Sequence, residues 1–166
     1  MNELEKKAYV WAERFHLNQK YGNEAYIKHL EDVVIILKRF GIKSSFVLAA
    51  TWLHDAVEDT PLTIETVKED FGDGVARLVY AVTTEPGKNR KERNAKTYPK
   101  IAAQPEAIYL KLADRIANVE ASWGNNKEKL TMYQKEFPAF QKALKQPNRA
   151  NEMWDFLEEL INSPAN

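Results

Sequence analysis

"AATWLHDAVEDT", residues 49–60, decides how the chain folds and where its chemistry lies. It runs small and apolar as far as Leu53 and then presents His54, Asp55, Glu58 and Asp59. With Ser44 or Ser45 as N-cap, the pattern predicts a helix over residues 43–59. Thr60-Pro61 ends it, because proline disfavours helical geometry at the residue before it. On that helix His54 and Glu58 are four positions apart, as are Asp55 and Asp59. Their side chains therefore crowd about 140° of the circumference, opposite Leu53, Ala56 and Val57. Three carboxylates this close repel one another unless a positive charge neutralises them. A divalent cation is one answer and a helix end emerging into solvent is the other. Acidic residues at a helix C-terminus oppose the helix dipole, which weighs against the second.

Working outward, nearly every segment reads as helix. Residues 3–16 form an amphipathic helix, followed by a turn over "NQKYGNEAY" with Gly22 and Asn23 at its centre. A second helix spans residues 27–40 and stops at Gly41. Beyond the opening stretch, Thr63 caps a helix that ends at Gly72, and another runs over residues 74–84. Residues 85–92 read as a polar, basic loop. Further helices cover residues 93–103, 106–123, 127–144 and 148–161. Strand-like alternation persists nowhere, and there is no repeat or linker. The expectation is an all-α chain, a single compact helical bundle over residues 1–166.

Composition agrees. Of 166 residues, 44% are hydrophobic and 29% charged, the profile of a soluble globular domain. The 24 basic and 24 acidic side chains cancel, which argues against binding long nucleic acid. The absence of cysteine excludes disulfides and thiolate metal sites. The start, "MNELEKKAYVWAERF", lacks a signal-peptide core. Apolar runs reach only about eight residues, against the roughly 20 that span a bilayer. A cytoplasmic protein without a membrane partner is expected, and no motif fixes an oligomeric state.

Two more positions depart from a bland helical reading. Asp114 in "LKLADRIANV" is flanked on the helical wheel by Leu110 and Ala117, with Asn118 one turn on. A carboxylate there costs several kcal/mol unless it is metal-bound or paired, with Lys111, Arg115 or a distant arginine as the candidate partners. His29 lies beside Leu30, Val33 and Val34 at the start of its helix, where a histidine is either a packed core residue or a ligand. His16 reads as structural.

Taken together, His29, His54-Asp55 and Asp114 resemble the H…HD…D signature of the HD-domain metal phosphohydrolases. "YIKH", "LHDAVEDT" and "LKLADRIANV", with the glycine- and valine-spaced residues 71–83, are similar to the RelA/SpoT hydrolase-domain branch. That branch includes the free-standing small alarmone hydrolases, the metazoan SpoT homologue among them. The resemblance covers residues from about 8 to 140. It implies a helical bundle that hydrolyses the 3′-pyrophosphate of ppGpp or pppGpp, leaving GDP or GTP and pyrophosphate. It implies His29, His54, Asp55 and Asp114 as metal ligands. The implied ion is Mn2+, with other divalent transition metals possible, since mixed nitrogen and oxygen donors suit them better than Mg2+. Glu58 and Asp59 match the acidic pair that activates or orients the attacking water. Asn118, Arg90, Arg93 and Tyr133 match positions near the sugar, phosphates and base of a small nucleotide substrate, and the Arg90–Arg93 stretch reads equally as a solvated loop.

The chain departs from the family at residues 16–30. Members usually read "HxGQxRKxGxPYxxHP", whereas "HLNQKYGNEAYIKHL" is one residue shorter, lacks the Arg-Lys pair and has Leu30 for proline. The arginine normally packs on the guanine base. Lys20 supplies charge there without the planar guanidinium that stacks. Three functions therefore stand at this point: a (p)ppGpp hydrolase, a hydrolase of another 3′- or 2′-phosphorylated nucleotide such as an adenine alarmone or NADPH, and a non-catalytic nucleotide-binding module.

Overall fold

The computed structural model describes residues 1–163, so the last three positions of the expected 1–166 domain lie outside the described residues. Helix α7 (Pro105–Ser122) is the axis of the architecture. It is apolar nearly all round, and such a helix is stable only inside other helices. Ile108, Leu110, Leu112 and Ile116 are fully buried on it. Each contributes roughly 2 kcal/mol of apolar burial. Around it pack α2 (Ile27–Arg39), α3 (Ser45–Leu53), α5 (Ile64–Val82), α6 (Arg90–Ala102), α8 (Lys127–Leu144) and α9 (Asn151–Asn162). Helix α1 (Glu3–Phe15) lies along α3. Trp154 of α9 seals one end of the core against Phe140, with ring centroids 5.4 Å apart. No helix of the described residues is long and apolar enough to cross a membrane.

Three local features differ from the sequence expectation. The turn after α1 contains a small antiparallel hairpin, β1 (Lys20–Tyr21) and β2 (Glu24–Ala25). Gly22 supplies the φ of 61° that a two-residue hairpin turn needs. Strands of two residues are too short to show alternation. The helix expected over residues 43–59 is interrupted: α3 stops at Leu53 and a single turn, α4 (Ala56–Asp59), follows. Between them Asp55 keeps right-handed backbone angles, φ −94° and ψ −13°, at the edge of the helical region. Finally, Arg90 does not lie in a loop. Asn89 accepts a hydrogen bond from the Glu92 N–H at 2.9 Å, capping α6 three residues earlier than expected. The expected break at Gly72 is real, as φ 82° and ψ 168° bend α5 there.

Candidate metal centre

Three elements bring the sequence candidates together. His29 comes from the first turn of α2, His54 and Asp55 from the α3–α4 turn, and Asp114 from the middle of α7. Donor atoms of His29, His54 and Asp55 lie within 4.8 Å of one another. Asp114 completes the set, its Oδ1 standing 3.4 Å from His29 Nε2 and 3.8 Å from His54 Nε2. Both imidazoles are buried. His54 Nδ1 bonds the Thr51 carbonyl at 2.7 Å, so Nδ1 carries a proton and Nε2 is the nitrogen that faces the carboxylates. That Nε2 is buried, lies 3.1 Å from Asp55 Oδ2 and makes no hydrogen bond. A buried ring nitrogen without a hydrogen-bond partner, among two carboxylates and a second imidazole, fits a divalent transition metal that displaces its proton.

The electrostatics point the same way. Burial disfavours the His54 imidazolium, yet the Asp55 and Asp114 carboxylates outweigh it and raise its pKa well above the ordinary value. Burial likewise opposes ionisation of the two carboxylates. His54 nevertheless holds Asp55 low, and Lys111 with the two histidines holds Asp114 low. The centre is a sink for positive charge, whether a proton or a cation.

Asp114 divides its two oxygens between an ion pair and the histidines. Oδ2 accepts from Lys111 Nζ at 2.9 Å, whereas Oδ1 faces the imidazoles and accepts from Asn118 Nδ2 at 2.6 Å. Arg115, the other candidate partner, turns instead to Glu136, which also holds Arg90.

The hairpin segment braces the acids. Tyr26 donates its hydroxyl to Asp55 Oδ2 at 2.6 Å and stacks on His16. His16 Nδ1 meets Gln19 Oε1 at 2.6 Å, and the Gln19 amide donates to Asp59 Oδ2 at 2.9 Å. His16 is thus structural, as expected, but it belongs to the site's scaffolding. Glu58 and Asp59 part company here. Asp59 faces Gln19, while Glu58 lines the cavity and its Oε1 accepts from the Thr84 backbone N–H at 2.7 Å. Partial burial raises the Glu58 pKa, and the Thr84 N–H offsets part of that rise.

The cavity beside the carboxylates measures about 280 Å³, and its wall includes Asp55, Glu58, Arg90, Lys111, Asn118 and Tyr133. A larger groove of about 880 Å³ adjoins it, and Tyr21 and Lys129 line both. Lys20 lines the groove rather than the cavity. Arg93 lines neither. Its backbone N and Cγ sit close to Gly87, so the structure does not bring it to the site with Arg90. Sequence reasoning gave no site role to Tyr21, Thr51, Thr84 or Lys129. Only Tyr26, three residues before His29, carried a local signal, because that spacing shares a face on a helix.

Comparisons with known proteins agree with this geometry. The HD domain family matches residues 8–140. The guanosine-3′,5′-bis(diphosphate) 3′-pyrophosphohydrolase of Aquifex aeolicus is 38% identical over 136 residues, 79% of this chain and 19% of that protein. A GTP pyrophosphokinase of Streptomyces coelicolor is 38% identical over 120 residues, 69% of this chain and 14% of that protein. The chain thus spans a fifth or less of these relatives' length. A solved metazoan ortholog of SpoT, which hydrolyses ppGpp and plays a role in starvation responses, superposes with a TM-score of 0.83 at 26% identity. That superposition covers 96% of this chain and 94% of the other.

Proposed function

The chain belongs to the HD-domain family, and from that premise we propose that it is a metal-dependent (p)ppGpp 3′-pyrophosphohydrolase. We propose residues 1–166 as one hydrolase domain acting in the cytoplasm on a small nucleotide. The observation that carries the reading is the unpaired His54 Nε2 among His29, Asp55 and Asp114, next to a cavity bordered by Glu58. These four residues would hold the ion, for which Mn2+ is the proposed identity. When bound, such an ion supplies Lewis acidity toward phosphate oxygen and makes water at the site more acidic.

The chain's own groups do the rest. Thr84 fixes Glu58 Oε1, leaving Oε2 to take the proton from an attacking water. A raised pKa brings that carboxylate nearer neutrality, where a base is most effective. Water's oxygen joins the phosphorus as its proton passes to Glu58, the bond from phosphorus to the 3′ oxygen breaks, and that oxygen takes a proton back from Glu58 or solvent, so GDP or GTP and pyrophosphate are released. Arg90, at the cavity wall in its ion pair with Glu136, would face the pyrophosphate, and Asn118 and Tyr133 would border the sugar and base. Asp59 orients Gln19 and the hairpin rather than the water. Lys20 meets the part of the nucleotide that extends into the groove.

A second reading changes the base alone. The groove is lined by Lys20, Tyr21, Asn23 and Asn125 among others and by no arginine, so guanine has no guanidinium to stack on there. The test is product analysis after incubating metal-stripped protein, with and without Mn2+, with ppGpp and its adenine counterpart. Mn2+-dependent GDP and pyrophosphate support the proposal. Cleavage of the adenine compound alone moves the substrate to the second reading. Cleavage of neither rejects both alarmones as substrates and leaves another 3′- or 2′-phosphorylated nucleotide such as NADPH, or a nucleotide-binding module.

A further inference from the structure

Tyr21 takes no part in the chemistry above, yet it stands between the cavity and the groove and lines both. Its ring lies flat on His29, with centroids 4.6 Å apart and planes 15° apart. Its hydroxyl donates to Asn118 Oδ1 at 2.8 Å, across 97 positions of sequence. Asn118 Nδ2 in turn donates to Asp114 Oδ1 at 2.6 Å and to the Asp114 carbonyl at 2.9 Å.

The chemistry of an amide makes this chain directional. Asn118 must aim N–H, not oxygen, at an ionised carboxylate. A hydroxyl donating to the amide oxygen holds it in that orientation. Asp114 is then tethered at both oxygens, Oδ2 by Lys111 and Oδ1 by Asn118, so its direction toward the imidazoles is set. The hairpin braces Asp55 separately through Tyr26, so Tyr21 serves the other half of the centre.

We propose that Tyr21 is a positioning residue of the metal centre. Through Asn118 it fixes Asp114, and by stacking it fixes the plane of His29. This rests on the metal-hydrolase reading. It assigns a role to a side chain that sits where the chain departs from the family's Arg-Lys pattern. The hairpin that contacts the nucleotide groove also sets the ligand geometry.

The experiment is calorimetric titration of Mn2+ into metal-stripped wild type, Tyr21→Phe, Asn118→Ala and the double variant. Far-UV circular dichroism of each metal-free protein checks the fold. Phenylalanine keeps the stack and removes only the hydroxyl. Loss of an outer-shell hydrogen bond of this kind typically weakens metal binding 10–100-fold, and about tenfold is expected for Tyr21→Phe. Asn118→Ala should lose at least as much, and the double variant no more than Asn118→Ala alone, because both act on one chain of bonds. Wild-type affinity in Tyr21→Phe overturns the inference, and so do losses that simply add in the double variant. A wild type that binds no Mn2+ overturns the metal centre itself, so the two failures are distinguishable.

Discussion

Replacing Glu58 by glutamine removes a proton acceptor and little else. The Thr84 N–H that reaches Glu58 Oε1 at 2.7 Å can donate equally to a glutamine amide oxygen, so the side chain should stay in place. Glu58 is not among His29, His54 and Asp55, whose donor atoms converge within 4.8 Å, so Mn2+ affinity should hold. What disappears is Oε2 as a base. A positioned general base contributes about 10²–10⁴-fold to the rate, so Glu58→Gln should lower kcat about a thousandfold. That corresponds to about 4 kcal/mol of barrier. The assay is pyrophosphate release from ppGpp at saturating Mn2+, with calorimetry of metal binding alongside. A pH profile sharpens it. Partial burial raises the Glu58 pKa, so the wild-type base is lost earlier on acidification than a free carboxylate would be. Wild-type kcat/KM should fall as pH drops through that raised pKa, and the variant should lack this limb. A variant within about threefold of wild-type kcat would falsify the general-base role, since the smallest contribution typical of such a base is far larger. Loss of metal together with activity would refute the placement of Glu58 outside the ligand set.

Other expectations follow from the same geometry. His54→Ala and Asp55→Ala should lose bound metal and activity together, read by metal content after gel filtration. An active, metal-poor variant would remove them from the ligand set. Metal affinity should rise with pH through the raised His54 pKa, because the ion must displace that proton, and a flat titration between about pH 6 and pH 8 would contradict this. Without metal, stability has two opposed limbs. The raised His54 contributes fully below its unfolded value of 6.5 and loses its contribution as pH rises through its folded pKa. The depressed Asp55 and Asp114 contribute above their unfolded value of 3.8 and lose it as pH falls through theirs. Denaturant midpoints of the metal-free protein should therefore peak between about pH 4 and pH 6.5. Lys111→Met strips Asp114 of its ammonium partner at 2.9 Å and should cost about 3 kcal/mol in the metal-free protein, the low end for a broken buried pair because Asn118 remains. Added Mn2+ should recover part of that loss in urea unfolding.

The helices were legible because their signals are local. Helix α8 begins at Lys127 and ends at Leu144, where periodicity placed it, and Gly72 bends the chain where a glycine stop was expected. His29, His54, Asp55 and Asp114 were legible because each is a polar residue on an apolar helical background, an anomaly that needs no partner to be noticed. What remained hidden depends on long-range neighbours. Nothing near Tyr21 announces a bond to Asn118, and nothing near Glu136 announces that it gathers Arg90 and Arg115. The break at His54–Asp55 was hidden for a different reason. Both residues keep right-handed backbone angles, so pattern alone reads them as helix, while the tertiary contacts of the site turn the chain between α3 and α4. Glu58 and Asp59, side by side on α4, part because each finds its own long-range partner, Thr84 or Gln19.

Strands of two residues cannot persist alone in water, so the hairpin at residues 20–25 exists only while its side chains are held elsewhere. Gln19, Tyr21 and Tyr26 are those anchors, and they grip Asp59, Asn118 and Asp55. An opening of this segment therefore releases all three at once. The Tyr26 amide, bonded to the Gln19 carbonyl at 3.1 Å, is exposed to solvent exchange only in such an opening. Deuterium uptake at that amide would count how often the hairpin lets go of Asp59, Asn118 and Asp55.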